Sequence, residues 1–487
     1  MPPDPQLEMT RYRASRRPPG HRHNRVLLWL VILMLAVALI AEAGLAMASK
    51  SPHRPKARGR RVSHSFVAHP GTATTLRLAD DFALRGRITT ILKADGFAGA
   101  TSSLGVVDLS TATALFERHS QTELMPASNE KLVTSATALA DWGSDYRFKT
   151  ELLTSGTVSA KGVFTGQIYL KGFGDPSLST TSYQTHVLHL ATSKLSDFVT
   201  ALRKAGVRKI VGRVTGDDSY FDAARTVAWW KPAMAVYCGP LSALSLNEDI
   251  QADGHRTSDP PQFVARELTA LLRESGIPVS RSGVAGVTPT TAKLLYTEHS
   301  APLWRILAAM NKSSDNFFAE TLAKGLGATF GDGGTTAAGV KVERAFLIAE
   351  GLSAKTFRLT DGSGLSYADR LTTPDITTLL AAMLRRSDWR TFWHSLSLAG
   401  VDGTLADRMR GTAAQGDLHG KTGTLDDASN LSGYVKSANG EWLVFSLLMN
   451  ENDIDVSEAH AAQDAIGVAL AGSRPPGKTV WSPSPAL

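Results

Sequence analysis

Residues 126–132, PASNEKL, place a serine and a lysine three positions apart, directly before a run of small and apolar residues. On a helix, positions i and i+3 are neighbours, so the hydroxyl of Ser128 and the amine of Lys131 can interact. A deprotonated lysine can serve as the base for a serine nucleophile, which requires that burial or a neighbouring cation lowers its pKa from about 10.4. The same letters fit an ordinary helix start, because serine is a common N-cap.

A second triplet, Ser314-Asp315-Asn316, stands in NKSSDNFFAE, directly before an amphipathic pattern. The hydroxyl of Ser314 could relay protons, and the amide of Asn316 could hold a substrate carbonyl. All three residue types are also good N-caps, so the triplet alone favours an ordinary helix start.

The third motif, KTGT at residues 421–424, lies on a predicted strand. The ammonium group of Lys421 can attract a carboxylate, Gly423 lets a ligand backbone approach closely, and main-chain N–H groups can polarise a carbonyl oxygen. The alternative is an exposed edge strand with a solvated lysine. The motif is not a phosphate-binding loop, which requires G-x-x-x-x-G-K-[ST] at the start of a helix.

S-x-x-K, S-D-N and K-T-G in this order are the motif set of β-lactamases and penicillin-binding proteins. Four further stretches fit the same pattern: GDPSL, LSALSLNE, DGSGLS and GKTGTLDDASNLSGY. Over roughly residues 100–450 the chain therefore resembles the D-alanyl-D-alanine carboxypeptidases/endopeptidases of the DacB type (peptidase family S13, low-molecular-mass class C penicillin-binding proteins). Ser128 and Ser314 are 186 positions apart, more than in the compact class A β-lactamases, which indicates an inserted domain. Residues 317–420 also lack the E-x-x-L-N segment of the class A enzymes.

The resemblance implies a multi-domain α/β (α+β) fold. A transpeptidase-like domain of the penicillin-binding-protein/β-lactamase type, an antiparallel sheet flanked by helices, is interrupted by an inserted β-rich domain that is short beside the longer family members. The expected division is residues 1–48 as signal peptide or signal anchor, 49–77 as basic flexible tether, 78–147 and 290–474 as the two parts of the transpeptidase-like domain, 148–289 as the insertion and 475–487 as disordered tail.

Hydrophobic spacing predicts the individual elements independently of the resemblance. We expect helices at 80–96, 191–205, 262–275 and 456–471, a hairpin at 102–119, and three antiparallel strands at 417–425, 429–437 and 441–450.

The N-terminal segment carries the basic charge of the chain. Formal charge is +7 overall, but residues 1–75 hold twelve Lys/Arg against three Asp/Glu, so the remainder is slightly acidic, which argues against a nucleic-acid partner. Residues 26–41 are uncharged and almost all apolar, as in an export signal. Ala46-Met47-Ala48 fits a cleavage site, whereas residues 26–48 are long enough to span a bilayer. We therefore expect an exported protein, with cleavage and membrane anchoring both left open.

Two single residues fall outside the motifs. Cys238 is the only cysteine, so no intramolecular disulfide can form, and it is expected to be a small buried hydrophobe. His419 precedes the K-T-G motif where the resembled family often has a small apolar residue. It is most simply an outward strand residue, and a role in pH response is the alternative.

The resemblance implies the chemistry of the site. Ser128 attacks a D-Ala-D-Ala amide of a peptidoglycan stem peptide or cross-link, with Lys131 as base, and the backbone N–H groups of Ser128 and Thr424 stabilise the oxyanion. Ser314 passes the proton to the leaving amine. The remaining implied roles are a peptide-carbonyl contact for Asn316 and carboxylate binding for Lys421, Thr422 and Thr424, beside Gly423.

The same resemblance implies the ligands. No metal or organic cofactor is expected, and β-lactams, which mimic the D-Ala-D-Ala amide, are expected as covalent inhibitors. Two alternatives stay open: a β-lactamase or other serine esterase on the same scaffold, and a non-catalytic wall-binding or regulatory protein.

Overall fold

The computed structural model describes residues 74–474, except residues 95, 98 and 100. Its strands are β1 (Ser102–Asp108), β2 (Thr113–Arg118), β3 (Lys149–Val158), β4 (Val163–Gly172), β5 (Lys209–Asp217), β6 (Val284–Ala285), β7 (Lys293–His299), β8 (Ser397–Leu398), β9 (Leu418–Leu425), β10 (Ala428–Lys436) and β11 (Trp442–Asn450). Its main helices are α1 (Thr74–Ala94), α2 (Lys131–Trp142), α3 (Leu195–Lys204), α4 (Pro260–Glu274), α5 (Leu303–Ser313), α6 (Asn316–Phe330), α7 (Thr336–Ala349), α8 (Thr373–Met383), α9 (Trp389–Ser395) and α10 (Val456–Ala471). The elements predicted from hydrophobic spacing are confirmed.

The first sheet has six antiparallel strands in the order β2-β1-β11-β10-β9-β8. Helices α1 and α10 cover one face, where Ile88 and Ile466 join a buried cluster with Leu431 and Leu447 of the sheet. Helix α8 and the other central helices cover the opposite face. This antiparallel sheet between helical layers confirms the predicted fold class.

The second sheet belongs to the insertion and has the order β6-β5-β4-β3-β7. Strands β3 and β4 form an antiparallel hairpin, whereas β4 pairs in parallel with β5, and β5 in parallel with β6. Helices α3 and α4 bury a separate apolar cluster against it, in which Phe198 and Leu268 are fully enclosed. The insertion therefore has a core of its own.

Strand β7 lies at one edge of the second sheet. It pairs antiparallel with β3 from Lys149↔His299 to Thr154↔Lys293, so the second sheet continues beyond the predicted boundary at residue 289. The tyrosine ring of Tyr296 packs edge-on against Phe198 in that sheet's core. The two strands are far apart in sequence, so their pairing depends on tertiary contacts. The spacing of apolar residues within KLLYTEH does not indicate the partner strand. The domain division, including the boundary at residue 289, stays a prediction.

One segment of the insertion leaves its own core and enters the main one. Val227, Trp230, Met234, Cys238 and Leu241 pack in the large apolar cluster with helices of the transpeptidase-like part. The thiol of Cys238 is fully buried, as expected. The segment around residues 227–241 thus fixes the insertion against the body that holds the motifs.

Three expectations lie outside the described residues: the signal or anchor at 1–48, the tether up to residue 73, and the tail at 475–487. Among the helices that the structure describes, none combines the length and apolar character needed to cross a bilayer.

His419 does not face outward as expected. Its ring lies 4.4 Å from that of Trp393, whose Nε1–H donates to His419 Nε2 at 3.0 Å. Burial, helped by the nearby His394 and Lys312, lowers the pKa of His419 to about 4. The imidazole is therefore neutral in the folded protein over the physiological range.

The low pKa of His419 predicts a loss of stability in acid. As pH falls from about 6.5 towards 4, the unfolded chain binds a proton that the folded chain does not, so the free energy of unfolding decreases. In His419→Gln, whose amide oxygen can still accept from Trp393, this decrease should be shallower in urea titrations across that pH range. His460→Gln is the comparison at a second partly buried histidine, whose pKa is also lowered to about 4, and it should flatten the slope to a similar degree. A His419→Gln slope equal to that of the unmodified protein would contradict the assignment.

Candidate active site

The first motif forms a sharp turn followed by a helix. Residues Ala127–Glu130 make a 3-10 turn, with Ala127 in the left-handed region at φ 45°, and α2 begins at Lys131. Ser128 is partly exposed and makes no side-chain cap, whereas Lys131 is fully buried. Lys131 Nζ lies 2.9 Å from Ser128 Oγ, so the predicted pair is in direct contact.

In the second motif, the residue that caps the helix is different from the two candidate site residues. Asp315 accepts a hydrogen bond from the backbone N–H of Phe318 and so caps α6, while Ser314 ends α5 in the left-handed region at φ 60°. Because Asp315 alone fills the capping role, the side chains of Ser314 and Asn316 are available to the cleft. Asn316 Oδ1 accepts from Lys131 Nζ at 2.6 Å.

The amide of Asn316 has a defined orientation. Its Nδ2 donates to the carbonyl oxygen of Tyr237 at 2.9 Å, and a carbonyl can only accept, so Oδ1 must face Lys131. Tyr237 belongs to the insertion, and a main-chain contact of this kind carries no sequence signal.

The third motif lies on β9 beside the first two. Lys421 is fully buried, and its Nζ donates to Ser314 Oγ and to the carbonyl of Thr422, both at 2.8 Å. The hydroxyl of Thr422 bonds to that of Thr404 at 2.8 Å, and Thr424 is exposed. The structure therefore brings all three motifs together, and it adds Thr404, which the sequence did not single out.

Gly423 allows β9 to approach the serine turn. A Cβ atom at this position would lie 2.8 Å from the carbonyl oxygen of Pro126 and 3.0 Å from the backbone nitrogen of Ser128. Any side chain would push the strand away from the turn. The backbone of β9 therefore runs directly beside the N–H of Ser128.

Two asparagines of the sheet fix the segment before Ser128. Asn430 Nδ2 donates to the carbonyls of Met125 and Pro126 at 2.9 and 2.8 Å, and Asn450 Oδ1 accepts from the Met125 N–H at 2.6 Å. Asn430 lies within the stretch that carried the resemblance, but only the sheet register reveals its contact.

Burial sets the charge states of the two lysines. Loss of hydration lowers the pKa of Lys131 to about 8, although the negative charge of Asp361 opposes this. Burial, and then the charge of Lys131, lower the pKa of Lys421 well below its usual value. In the described part of the chain, no group of three or more His, Cys, Asp or Glu side chains is arranged to hold a metal ion.

Comparison with known proteins identifies the family. A sequence profile of the D-Ala-D-Ala carboxypeptidase 3 (S13) family matches residues 84–254 and 250–472. The chain belongs to this family. It is therefore a serine-type D-Ala-D-Ala carboxypeptidase/endopeptidase, and the DacB-type resemblance drawn from the motifs is confirmed.

Two curated relatives and two solved structures of a third protein illustrate the similarity. The D-alanyl-D-alanine carboxypeptidase of Actinomadura sp. (strain R39) is 32% identical, over 80% of this chain and 84% of the relative. Carboxypeptidase DacB of Mycolicibacterium smegmatis is 29% identical, over 88% of this chain and 93% of the relative. Penicillin-binding protein 4 (dacB) of Haemophilus influenzae shares the fold at a TM-score of 0.64 and 19% identity, over 79% of this chain and 98% of that one. A second structure of the Haemophilus protein holds a β-lactam, with a TM-score of 0.60 and 19% identity over 76% of this chain and 95% of that one.

The pKa of Lys131 predicts how acylation of this S13 chain depends on pH. Below about pH 8 the amine is protonated and has no lone pair, so we expect the second-order rate of labelling by a fluorescent penicillin to rise from pH 6 to 9 with a midpoint near 8. Stopped-flow fluorescence measures this rate.

Lys131→Arg is the control for this profile. It keeps a cation of similar length that cannot lose its proton, so labelling should be lost at every pH. A rate that is flat from pH 6 to 9 in the unmodified protein would rule out Lys131 as the titrating base.

Proposed function

We propose that the chain hydrolyses D-Ala-D-Ala bonds in peptidoglycan stem peptides, or cross-links of the same stereochemistry, through an acyl-enzyme on Ser128. The observation that carries this proposal is the environment of Lys131: a fully buried amine 2.9 Å from the hydroxyl of Ser128, with only carbonyl oxygens as its other partners.

Those partners determine the direction of the lone pair. A neutral amine has two N–H bonds, and Asn316 Oδ1 and the carbonyl oxygen of Ser363, at 2.6 and 2.7 Å, are acceptors only. Both N–H bonds therefore point to these carbonyls, and the lone pair is left for Ser128. Lys131 takes the proton of Ser128 as the hydroxyl attacks the carbonyl of the penultimate D-Ala.

Stabilisation of the oxyanion is assigned to the backbone N–H groups of Ser128 and Thr424. The absence of a side chain at Gly423 supports this, because it brings β9 against the nitrogen of Ser128. Fixed donors of this kind contribute about 3 kcal/mol each to the stability of the transition state.

The remaining motif residues act on the leaving group and the peptide. Ser314, hydrogen-bonded to Lys421, relays to the departing amine the proton that Lys131 took from Ser128, and Lys131 returns to its neutral state. Lys421, Thr422 and Thr424 bind or orient the terminal carboxylate. Asn316 can donate its second Nδ2–H to a peptide carbonyl while the first stays on Tyr237. Water then hydrolyses the acyl-enzyme by the same groups in reverse.

β-Lactams fit this site as covalent inhibitors. Their amide imitates D-Ala-D-Ala, and the complex of the Haemophilus relative with a β-lactam supports a similar encounter here. Export accords with the N-terminal sequence and with a peptidoglycan substrate, which lies outside the cytoplasmic membrane, and residues 26–48 serve either as a cleaved leader or as a membrane anchor.

Labelling with a fluorescent penicillin tests the nucleophile. Ser128→Ala removes the attacking oxygen, so no covalent signal should remain after denaturing electrophoresis, whereas the unmodified protein labels in stoichiometric amount. Ser313→Ala is the matched control, because Ser313 is an exposed serine whose hydroxyl bonds only to its own helix. Persistent labelling of Ser128→Ala would refute the assignment, and rapid turnover of the bound penicillin would favour a β-lactamase.

Digestion of muropeptides tests the substrate. We expect mass spectrometry to show loss of D-Ala from pentapeptides, cleavage of D-Ala cross-links, or both, and none of these with Ser128→Ala. Muropeptides that bind but remain intact, together with no acyl-enzyme, would favour a non-catalytic wall-binding protein.

A further inference from the structure

The third oxygen that holds Lys131 lies outside the three motifs. It is the carbonyl of Ser363 in the loop 361–366, DGSGLS, at 2.7 Å from Lys131 Nζ. Because this acceptor is a main-chain atom, its position depends on whatever fixes the loop, and not on the identity of the side chain at 363.

Glu320 fixes one side of the loop. Its Oε1 accepts the backbone N–H groups of Gly362 and Ser363 at 3.0 and 2.8 Å, and its side chain is fully buried. Glu320 lies four residues after Asn316 on α6, hence on the same face of the helix. A single helix face therefore controls both carbonyl acceptors of Lys131: Asn316 directly and Ser363 through Glu320.

Asp361 and Trp230 fix the other side. The carboxylate of Asp361 accepts the N–H groups of Gly364 and Ser366 at 2.7 and 2.8 Å, and also the indole N–H of Trp230 at 2.7 Å. Trp230 is largely buried, and it belongs to the segment of the insertion that enters the main core.

The loop also packs directly against the serine turn. Gly364 has φ +78°, and a Cβ atom there would lie 1.9 Å from the carbonyl oxygen of Ala127, the residue before Ser128. The backbone of the loop therefore lies directly against the serine turn, and only glycine fits at position 364.

We propose that Glu320 and Trp230 are positioning residues for acylation, which hold the loop 361–366 so that the Ser363 carbonyl occupies one N–H of Lys131 and the lone pair faces Ser128. This inference rests on the proposed function. If the carbonyl moves away, Lys131 can turn an N–H towards Ser128 Oγ, and proton removal from the serine becomes slower. Neither residue is placed to touch the substrate, so binding should not change.

Substitutions at Glu320 test the hydrogen bonds separately from the charge. Glu320→Gln keeps an Oε1 that can accept both loop N–H groups, whereas Glu320→Leu leaves both unpaired. At saturating fluorescent penicillin, we expect the Leu variant to lose about 10- to 100-fold in the acylation rate constant, with the dissociation constant of the initial complex unchanged. The Gln variant should stay within about 3-fold of the unmodified protein.

A tryptophan pair tests the contribution of the insertion. Trp230→Phe keeps an aromatic ring in the core but removes the donor to Asp361, and we expect it to lower the acylation rate constant by about 10-fold without changing the dissociation constant. Trp304→Phe is the control: Trp304 is 47% exposed at the start of α5, and it should acylate at the unmodified rate.

The final labelled fraction separates positioning from folding. This fraction measures how many molecules are correctly folded and can react with the penicillin. A positioning defect lowers the rate of labelling, but nearly every molecule is labelled in the end. A folding defect lowers the labelled fraction, and the remaining molecules react at the unmodified rate. Unmodified rates in both Glu320→Leu and Trp230→Phe, or losses that match the labelled fraction, would overturn the inference. Failure of the unmodified protein to label at Ser128 would instead refute the proposed function.

Discussion

The active site depends on a lysine that has been removed from water. An ammonium group loses its hydration on burial, and this loss favours the neutral amine that can accept a proton. Lys131 is fully enclosed, yet it has three oxygen partners, on its own turn, on α6 and on the loop 361–366. Three segments that are distant in sequence must therefore place oxygen atoms within hydrogen-bond distance of one amine. Much of the surrounding fold holds these segments in position.

The first sheet determines how the serine turn meets the third motif. Asn430 and Asn450 bind the chain just before Ser128, while Gly423 leaves room for the turn beside β9. These contacts come from three neighbouring strands whose register is fixed along their length. If one strand slipped by one residue, all its side chains would turn to the opposite face of the sheet, so the register is fixed. The sheet therefore holds Lys421 and the backbone of β9 in a fixed position relative to Ser128.

The insertion has two different relations to the rest of the molecule. Its sheet and its helices α3 and α4 enclose an independent core. The segment around residues 227–241 instead packs in the main core, where the Tyr237 carbonyl orients Asn316 and the indole of Trp230 binds Asp361. Lys324 of α6, also buried, adds an ion pair to Asp222. The insertion is thus joined to both carbonyl acceptors of Lys131.

Sequence alone determined the three motifs, the family and most of the elements, because helix and strand periodicity is local and each motif keeps its own helix or strand. It also indicated Ser128, Lys131, Ser314, Asn316 and Lys421 as one site, through their order along the chain. Tertiary structure decided the pairing of β7 with β3, the packing of His419 on Trp393, and the contacts of Tyr237, Glu320, Asp361 and Ser363. Those contacts join main-chain atoms or residues far apart in sequence, and neither kind leaves a local pattern: a carbonyl oxygen is present at every residue, and only the fold decides which one a buried lysine meets.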